Sequence, residues 1–158
     1  MEIERKYLID SDQIPFDPKD YPCRQIEQGY LCTEPVVRIR RDQEEYFLTY
    51  KSKGLMIREE YNLPLTKDAY LHLRQKIDGR IISKDRYVIP LAPDSSLRIE
   101  LDFFHGDLEG LILAEVEFPD LYSAETFSAP RWFGEDVTHS SRFHNSSLAS
   151  MYKEEDDR

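Results

Sequence analysis

The chain opens with Glu2-Ile3-Glu4-Arg5-Lys6-Tyr7-Leu8-Ile9, in which charged and apolar side chains alternate. Successive side chains of a β-strand point to opposite faces of the sheet, so this alternation predicts a strand. Glu2, Glu4 and Lys6 would share one face, and most of the apolar side chains would share the other. The segment therefore predicts a sheet with one charged face and one apolar face.

Seven further segments have strand character, and turn-prone stretches such as Lys53-Gly54, Ala92-Pro93-Asp94 and His105-Gly106-Asp107 separate several of them. They cover residues 24–31, 35–41, 45–51, 56–63, 80–91, 96–104 and 111–118. Eight strands at this spacing predict a mainly β protein of the α+β class, either an antiparallel barrel or a sandwich.

Helical signals are few. Thr66 can cap a helix that we expect to end near Gly79, and shorter helices are predicted from Ser123 and from Asn145 or Ser146. The last eight or so residues, which include a charge run at 154–158, are expected to fray. Since no repeat or linker is evident, residues 1–158 are expected to form a single domain.

Composition excludes several classes of function. The 158 residues carry a net charge of -10, which opposes nonspecific binding to nucleic acid or to an anionic membrane. No segment is long and apolar enough for a membrane span, and the charged N-terminus does not resemble a signal peptide. We therefore expect a cytoplasmic protein, monomeric or homodimeric, whose two cysteines, Cys23 and Cys32, are free.

The charged strand faces are nearly balanced, in contrast to the chain as a whole. Eight bases lie on them: Lys6, Arg38, Arg40, Lys51, Arg58, Lys84, Arg86 and Arg98. Seven acids accompany these bases: Glu2, Glu4, Glu60, Glu100, Asp102, Glu115 and Glu117.

An ordinary solvent-facing sheet would also alternate, and this remains the simpler interpretation. However, pairs of like charge two residues apart repel each other and call for a ligand of mixed charge. If the sheet closes with these faces inward, a small ligand fits the lumen. A polyphosphate with divalent cations would satisfy both sets of side chains.

The opening Glu2-Ile3-Glu4-Arg5-Lys6 matches the ExExK signature of the CYTH, or triphosphate tunnel metalloenzyme, family. The remainder of the chain resembles small bacterial members of that family in motifs that follow in order. They are Gln28-Gly29-Tyr30-Leu31, Arg38-Ile39-Arg40, Leu48-Thr49-Tyr50-Lys51, Arg58-Glu59-Glu60-Tyr61, Lys84-Asp85-Arg86-Tyr87, Glu100-Leu101-Asp102, Glu115-Val116-Glu117-Phe118 and Trp132-Phe133-Gly134-Glu135-Asp136-Val137.

The resemblance implies an eight-stranded antiparallel β-barrel that forms a tunnel, with a few external helices and a C-terminal helix that plugs one end. Family members hydrolyse or cyclise triphosphate compounds with Mg²⁺ or Mn²⁺. The metal set carried over to this chain comprises Glu2, Glu4, Glu115, Glu117 and Asp102. Oxygen ligands of this kind suit hard cations. One departure is Leu8, where some members have a further basic residue.

The substrate-binding set implied for the triphosphate comprises Lys6, Arg38, Arg40, Lys51, Arg58, Lys84 and Arg86. Of these, Lys6, Arg40, Lys51 and Lys84 would position the chain of phosphates for in-line attack. Water activation is left to Glu60 or to a second metal ion.

The function expected from these observations is hydrolysis of inorganic triphosphate by a divalent-metal-dependent enzyme. The small chain has no evident module for recognising a base or a thiazolium. The alternatives are a nucleoside or thiamine triphosphatase, an adenylate cyclase of the same family, and a noncatalytic polyphosphate-binding module. The last is disfavoured, because a binder has no clear use for two Glu-x-Glu pairs.

Overall fold

A computed structural model of the protein describes residues 1–92 and 95–156, with side chains described through residue 150. Its three α-helices are α1 (Lys67–Arg74), α2 (Leu121–Glu125) and α3 (Asn145–Asp156). Its ten strands are β1 (Glu2–Ile9), β2 (Cys23–Thr33), β3 (Val36–Asp42), β4 (Glu45–Lys51), β5 (Ile57–Arg58), β6 (Glu60–Pro64), β7 (Asp78–Pro90), β8 (Arg98–Phe104), β9 (Ile112–Glu117) and β10 (Phe133–Asp136).

The strands form one antiparallel sheet that nearly closes on itself. Its order is β10-β1-β9-β8-β7-β2-β3-β4-β6, and β5 pairs with β1. Because β5 and β6 follow each other directly, the segment 57–64 contacts β1 through Arg58 opposite Glu2 and β4 through Glu60 opposite Lys51. This segment closes the barrel, so the predicted barrel fold is confirmed.

The predicted number of eight strands was too low. The expected strand at 56–63 is divided at Glu59, because its first half bonds to β1 and its second half to β4. Strand β10 was not predicted; it extends the sheet beyond β1, with Asp136 opposite Tyr7. Gly134 permits this approach, because a Cβ atom there would lie 2.5 Å from the carbonyl oxygen of Leu8.

Two apolar clusters hold the barrel. One covers the outer face of β1, β9, β8 and β7 and includes Ile3, Tyr7, Leu101 and Val116, packed under α2 and the segments around Phe16 and Trp132. Burial of such side chains is the main stabilising contribution to folding. The second cluster lies on the inner face at one end of the barrel, where α3 packs.

This inner apolar end explains the position of α3. Residues Leu148 and Ala149 of α3 pack there, and the partly buried Leu8 contributes to the contact. The barrel residues of this second cluster are Tyr30, Val36, Ile82, Phe104 and Leu113. Leu8, which stands where some family members have a basic residue, thus adds apolar surface to the region where α3 packs.

Helix α1 begins as predicted and ends earlier. Thr66 accepts a hydrogen bond from the backbone N–H of Ala69, and the helix ends at Arg74. The predicted end at Gly79 was wrong, because β7 already begins at Asp78. Gly79 has a positive φ of 73°, and a Cβ atom there would lie 2.5 Å from the carbonyl oxygen of Ala149.

None of the described helices combines the length and apolar character needed to cross a membrane. Helix α3 extends to Asp156, whereas Asp157 and Arg158 lie outside the described residues, so fraying of the tail stays a prediction. The predicted turn at Ala92-Pro93-Asp94 also lies partly outside them.

Candidate active site in the barrel interior

The barrel interior brings together the charged side chains that alternate along the strands. The register places Glu4 opposite Glu117 and Lys6 opposite Glu115 on β1 and β9. It likewise places Arg86 opposite Asp102 on β7 and β8. Directly opposite residues of an antiparallel pair project to the same face, so the charges converge inside the closed sheet. The alternation is therefore not an ordinary solvent-facing pattern.

The most deeply buried group of charges surrounds Asp102. Its carboxylate accepts hydrogen bonds from Arg86 Nε at 2.7 Å and Arg86 Nη2 at 2.8 Å, and Lys84 Nζ lies 2.8 Å away. The side chains of Lys84 and Asp102 are 0% exposed. Despite burial, which raises it, the pKa of Asp102 is lowered by Arg86 and Lys84. Burial lowers the pKa of Lys84 to about 7.

Asp102 thus acts as the counter-ion of two substrate-binding candidates. Its role as a metal ligand, which the family resemblance implied, stays a prediction, and at least one of its oxygens would have to exchange a cationic side chain for the metal. Arg86 also bonds to Glu100 through Nη1 at 2.8 Å.

A second group of charges joins Lys6 to Glu115. Lys6 Nζ lies 3.3 Å from Glu115 Oε1, and Arg86 Nη2 lies 3.6 Å from Glu115 Oε2. Burial would raise the pKa of Glu115, but Lys6 and Arg86 outweigh it and hold that pKa well below its usual value. Lys6 Nζ also donates to the carbonyl oxygen of Phe143 at 3.1 Å.

A third group lies where β5 and β6 close the barrel. Lys51 Nζ bonds to both carboxylate oxygens of Glu2, at 2.9 and 3.2 Å, and lies 4.0 Å from Glu60. Burial and a hydrogen bond with Glu60 raise the pKa of Glu2 to about 8. For Glu60, burial is outweighed by the hydrogen bond from Glu2 and by Lys51, and its pKa falls to about 2. Of the two neighbouring carboxyl groups, Glu2 therefore binds a proton more readily than usual and Glu60 less readily.

Three acids of this region have raised pKa values. Burial and the neighbouring Glu115 raise the pKa of Glu4 to about 7. Burial and the charges of Glu100 and Glu60 raise the pKa of Glu117. The pKa of Glu2 is raised as described above. Crowded carboxylates that hold protons above their usual range are those that a cation would stabilise most.

The chemistry of these oxygen donors fits Mg²⁺ or Mn²⁺. As arranged, no three His, Cys, Asp or Glu side chains within the described ranges converge with the geometry of a metal site. One reason why these carboxylates do not converge is that the carboxylate of Glu2 is bound by Lys51.

The remaining bases occupy the wall formed by β2, β3 and β4. Arg40 donates to Gln28 Oε1 through Nε at 2.9 Å and Nη2 at 2.6 Å, and Arg38 Nη2 donates to Thr49 at 3.3 Å. Burial, Arg38 and Arg86 lower the pKa of Arg40 to about 9, which leaves it charged at neutral pH. Arg58 Nε donates to the carbonyl oxygen of Ser52 at 3.2 Å.

Three participants were not among the predicted site residues. Gln28 is fully buried and orients Arg40, and Thr49 and His144 contact or face the bases. Thr49 shares a face of β4 with Lys51, so alternation could have identified it, whereas Gln28 meets Arg40 only through the pairing of β2 with β3. His144 carries no such signal, because the path of the chain after β10 brings it to the barrel.

Burial, with the charges of Lys6, Arg58 and Lys51, lowers the pKa of His144 to about 4, so its imidazole is neutral at neutral pH. Arg98 differs from the other bases. It is exposed and donates to the carbonyl oxygens of Ser95 and Leu97, at 3.1 and 3.2 Å.

Comparisons with known proteins bear on this arrangement. An inorganic triphosphatase from Nitrosomonas europaea is 39% identical over 151 residues, which cover 94% of this chain and 96% of the relative. An inorganic triphosphatase from Acetivibrio thermocellus is 33% identical over 152 residues, covering 93% of this chain and 92% of the relative. No family model matches the chain.

Solved structures have the same fold. The crystal structure of the inorganic triphosphatase NE1496 has a TM-score of 0.68 at 36% identity, and the match covers 94% of each chain. The HpAC1 protein from Hippeastrum has a TM-score of 0.61 at 15% identity, covering 79% of this chain and 83% of the other. At that identity the likeness concerns the fold alone.

Proposed function

The chain belongs to the CYTH, or triphosphate tunnel metalloenzyme, family, and we propose that it hydrolyses inorganic triphosphate with a divalent cation, Mg²⁺ or Mn²⁺. The observation that carries this proposal is the convergence of bases and acids in the interior of one closed sheet. The named activity of the two relatives supports the choice of substrate.

The bases of the interior would bind the phosphate oxygens. Arg86, Lys84 and Lys6 are each at most 6% exposed, so each would make charge-assisted hydrogen bonds away from bulk water. Phosphoryl transfer needs little covalent chemistry from a protein, and positioning with electrostatic stabilisation supplies most of the catalysis. The pairs with Gln28 and Asp102 hold Arg40 and Arg86 in place before substrate arrives.

Glu2, Glu4 and Glu117 would hold the cation. When bound, a divalent cation stabilises negative charge that develops on the phosphate oxygens. Glu60, with a pKa of about 2, is ionised but is a weak base, so we propose that it orients the attacking water by accepting a hydrogen bond. Lys51 would contact both this carboxylate and a phosphate oxygen.

A phosphate-release assay tests the proposal, using tripolyphosphate, pyrophosphate, ATP, GTP and thiamine triphosphate with Mg²⁺ and Mn²⁺ compared. Phosphate release from tripolyphosphate that a chelator abolishes is the expected result. Full activity in chelator would refute metal dependence, and an inert protein would refute the function.

Amide substitutions separate the metal site from general charge effects. Glu2→Gln, Glu4→Gln and Glu117→Gln keep the shape of each side chain but remove the negative charge, so each is expected to reduce turnover at least tenfold. The matched control is Glu125→Gln, at the exposed end of α2, which should retain wild-type turnover. Wild-type turnover in all three interior variants would exclude these carboxylates as the metal site.

A further inference from the structure

A small cavity lies between the first turn of α3 and the inner face of the barrel. Its volume of about 20 Å³ is room for about one water molecule. Barrel and helix both contribute to its wall, which consists of Glu4, Lys6, Tyr30, Val36, Arg38, Lys51, Arg58, His144, Asn145 and Ser146.

Positive charge dominates this wall. Four of its residues are bases and one is an acid. Lys6 and Lys51 are paired with Glu115 and Glu2, whereas none of the ion pairs among the described residues includes Arg38 or Arg58.

Arg38 gives an independent sign of a missing partner. It is 4% exposed, and its Nε has no hydrogen-bond partner among the described residues. An unpaired buried donor is costly, and a guanidinium is matched best by a carboxylate or a phosphate.

Helix α3 adds to the positive potential. It contains 12 residues, and its first turn, at Asn145 and Ser146, borders the cavity. The first four N–H groups of an α-helix lack partners within the helix, and the helix dipole places partial positive charge at that end. A helix N-terminus directed at a group of cations is unfavourable unless an anion lies between them.

We propose that the N-terminus of α3 completes an anion site with Arg38 and Arg58, and that this site holds one phosphate group of the substrate. The inference deepens the proposed function and rests on it for the identity of the substrate. Asn145 and Ser146 would supply amide and hydroxyl groups, and the neutral His144 would supply one further donor. The helix that covers this end of the barrel is then part of the binding site.

A route to this site exists from outside. A surface groove of about 720 Å³ lies along the same turn and shares Arg58, His144 and Ser146 with the cavity. Because the cavity is smaller than a phosphate group, the first turn of α3 must shift outward when the anion binds.

Aspartate substitutions in the first turn test the site, because they separate anion binding from helix stability. Ser146→Asp places a carboxylate at the cavity wall, whereas Ser123→Asp places the same group in the first turn of α2, outside both that wall and the groove. Acidic residues at a helix N-terminus stabilise the helix, so neither variant should unfold at lower temperature than the wild type. Ser146→Ala removes the hydroxyl without adding charge.

Calorimetric titration with inorganic phosphate, and separately with tripolyphosphate, in metal-free buffer supplies the measurement. We expect Ser146→Asp to weaken binding at least tenfold and Ser146→Ala about threefold, with less than a twofold change for Ser123→Asp. Equal affinity in all variants would overturn the inference, as would equal losses at both positions. If the wild type binds tripolyphosphate but does not hydrolyse it after Mg²⁺ or Mn²⁺ is added, the proposed function fails, while sensitivity to Ser146→Asp would still support the anion site.

Discussion

Replacing Asp102 by asparagine should destabilise the fold sharply. The carboxylate of Asp102 is fully buried and contacts Arg86 twice and Lys84 once, at 2.7 to 2.8 Å. Removing one partner of a buried ion pair typically costs about 3–5 kcal/mol, because it leaves an uncompensated charge. For a domain of this size each kcal/mol shifts the melting temperature by roughly 2–4 °C, so a decrease of about 6–20 °C is expected.

Thermal unfolding followed by circular dichroism measures the effect. Asp85→Asn is a matched control on the neighbouring strand: Asp85 pairs with the partly exposed His105 at 3.0 Å, and such surface pairs contribute only about 0–1 kcal/mol. A melting temperature of Asp102→Asn within about 2 °C of the wild type would refute the reasoning.

The pH dependence of the stability loss in Asp102→Asn provides a second test of this prediction. Lys84 has a pKa of about 7 in the folded protein, below its ordinary value of 10.5, so folding releases its proton between these values. Loss of the Asp102 carboxylate lowers this pKa further, and the variant then gains stability relative to the wild type as pH rises toward 7. The deficit should therefore be larger at about pH 6 than at about pH 8.5.

Three further predictions concern activity, pH and substrate. Lys51→Ala should lower kcat/KM for tripolyphosphate by a factor equivalent to about 1.5–3 kcal/mol of lost transition-state stabilisation. Lys67→Ala, at an exposed position at the start of α1, should leave kcat/KM unchanged, and equal losses in the two variants would refute the interior site. Folded-state pKa values of about 8 for Glu2 and 7 for Glu4, above the ordinary 4.5, should make metal-free stability fall as pH rises from about 4.5 to 7, with the single opposing shift of His144 removing part of the fall and that of Lys84 offsetting it above pH 7; urea unfolding between pH 4.5 and 7 checks the sign, and a rise there would contradict it. Tripolyphosphate should exceed ATP at least tenfold in kcat/KM, with pyrophosphate poor, because a linear chain of phosphates fits the barrel; formation of cyclic AMP, or preference for thiamine triphosphate, would overturn this ranking.

The inner face of the barrel could be predicted because strand alternation is local. Glu2, Glu4 and Lys6 share a face whatever their partner strands are, and the same holds for Arg38 and Arg40. No local pattern indicates where a strand changes partner, so the division at Glu59 was missed. Strand β10 was missed because it is four residues long and pairs across more than 120 positions of sequence.

The cavity at α3 could not be predicted either. The alternation that identifies an inner face does not indicate which end of the barrel is covered, nor that His144 and Ser146 border the bases. Gly79 shows how such contacts mislead a sequence argument: it was assigned to a helix end, but its contact with the backbone of Ala149 is what excludes a side chain there.

Charge pairing across the strands has a further consequence for binding. Like charges lie two residues apart along several strands, and at several positions opposite charges face one another across strands, as Lys6 faces Glu115 and Arg86 faces Asp102. The interior carboxylates therefore bind the basic side chains at the positions where phosphate oxygens of the substrate would bind them. When Lys51 moves to a phosphate oxygen, it leaves the carboxylate of Glu2 without its cation. A divalent cation replaces that lost charge, so we expect the phosphate chain and the metal to bind more tightly together than either does alone.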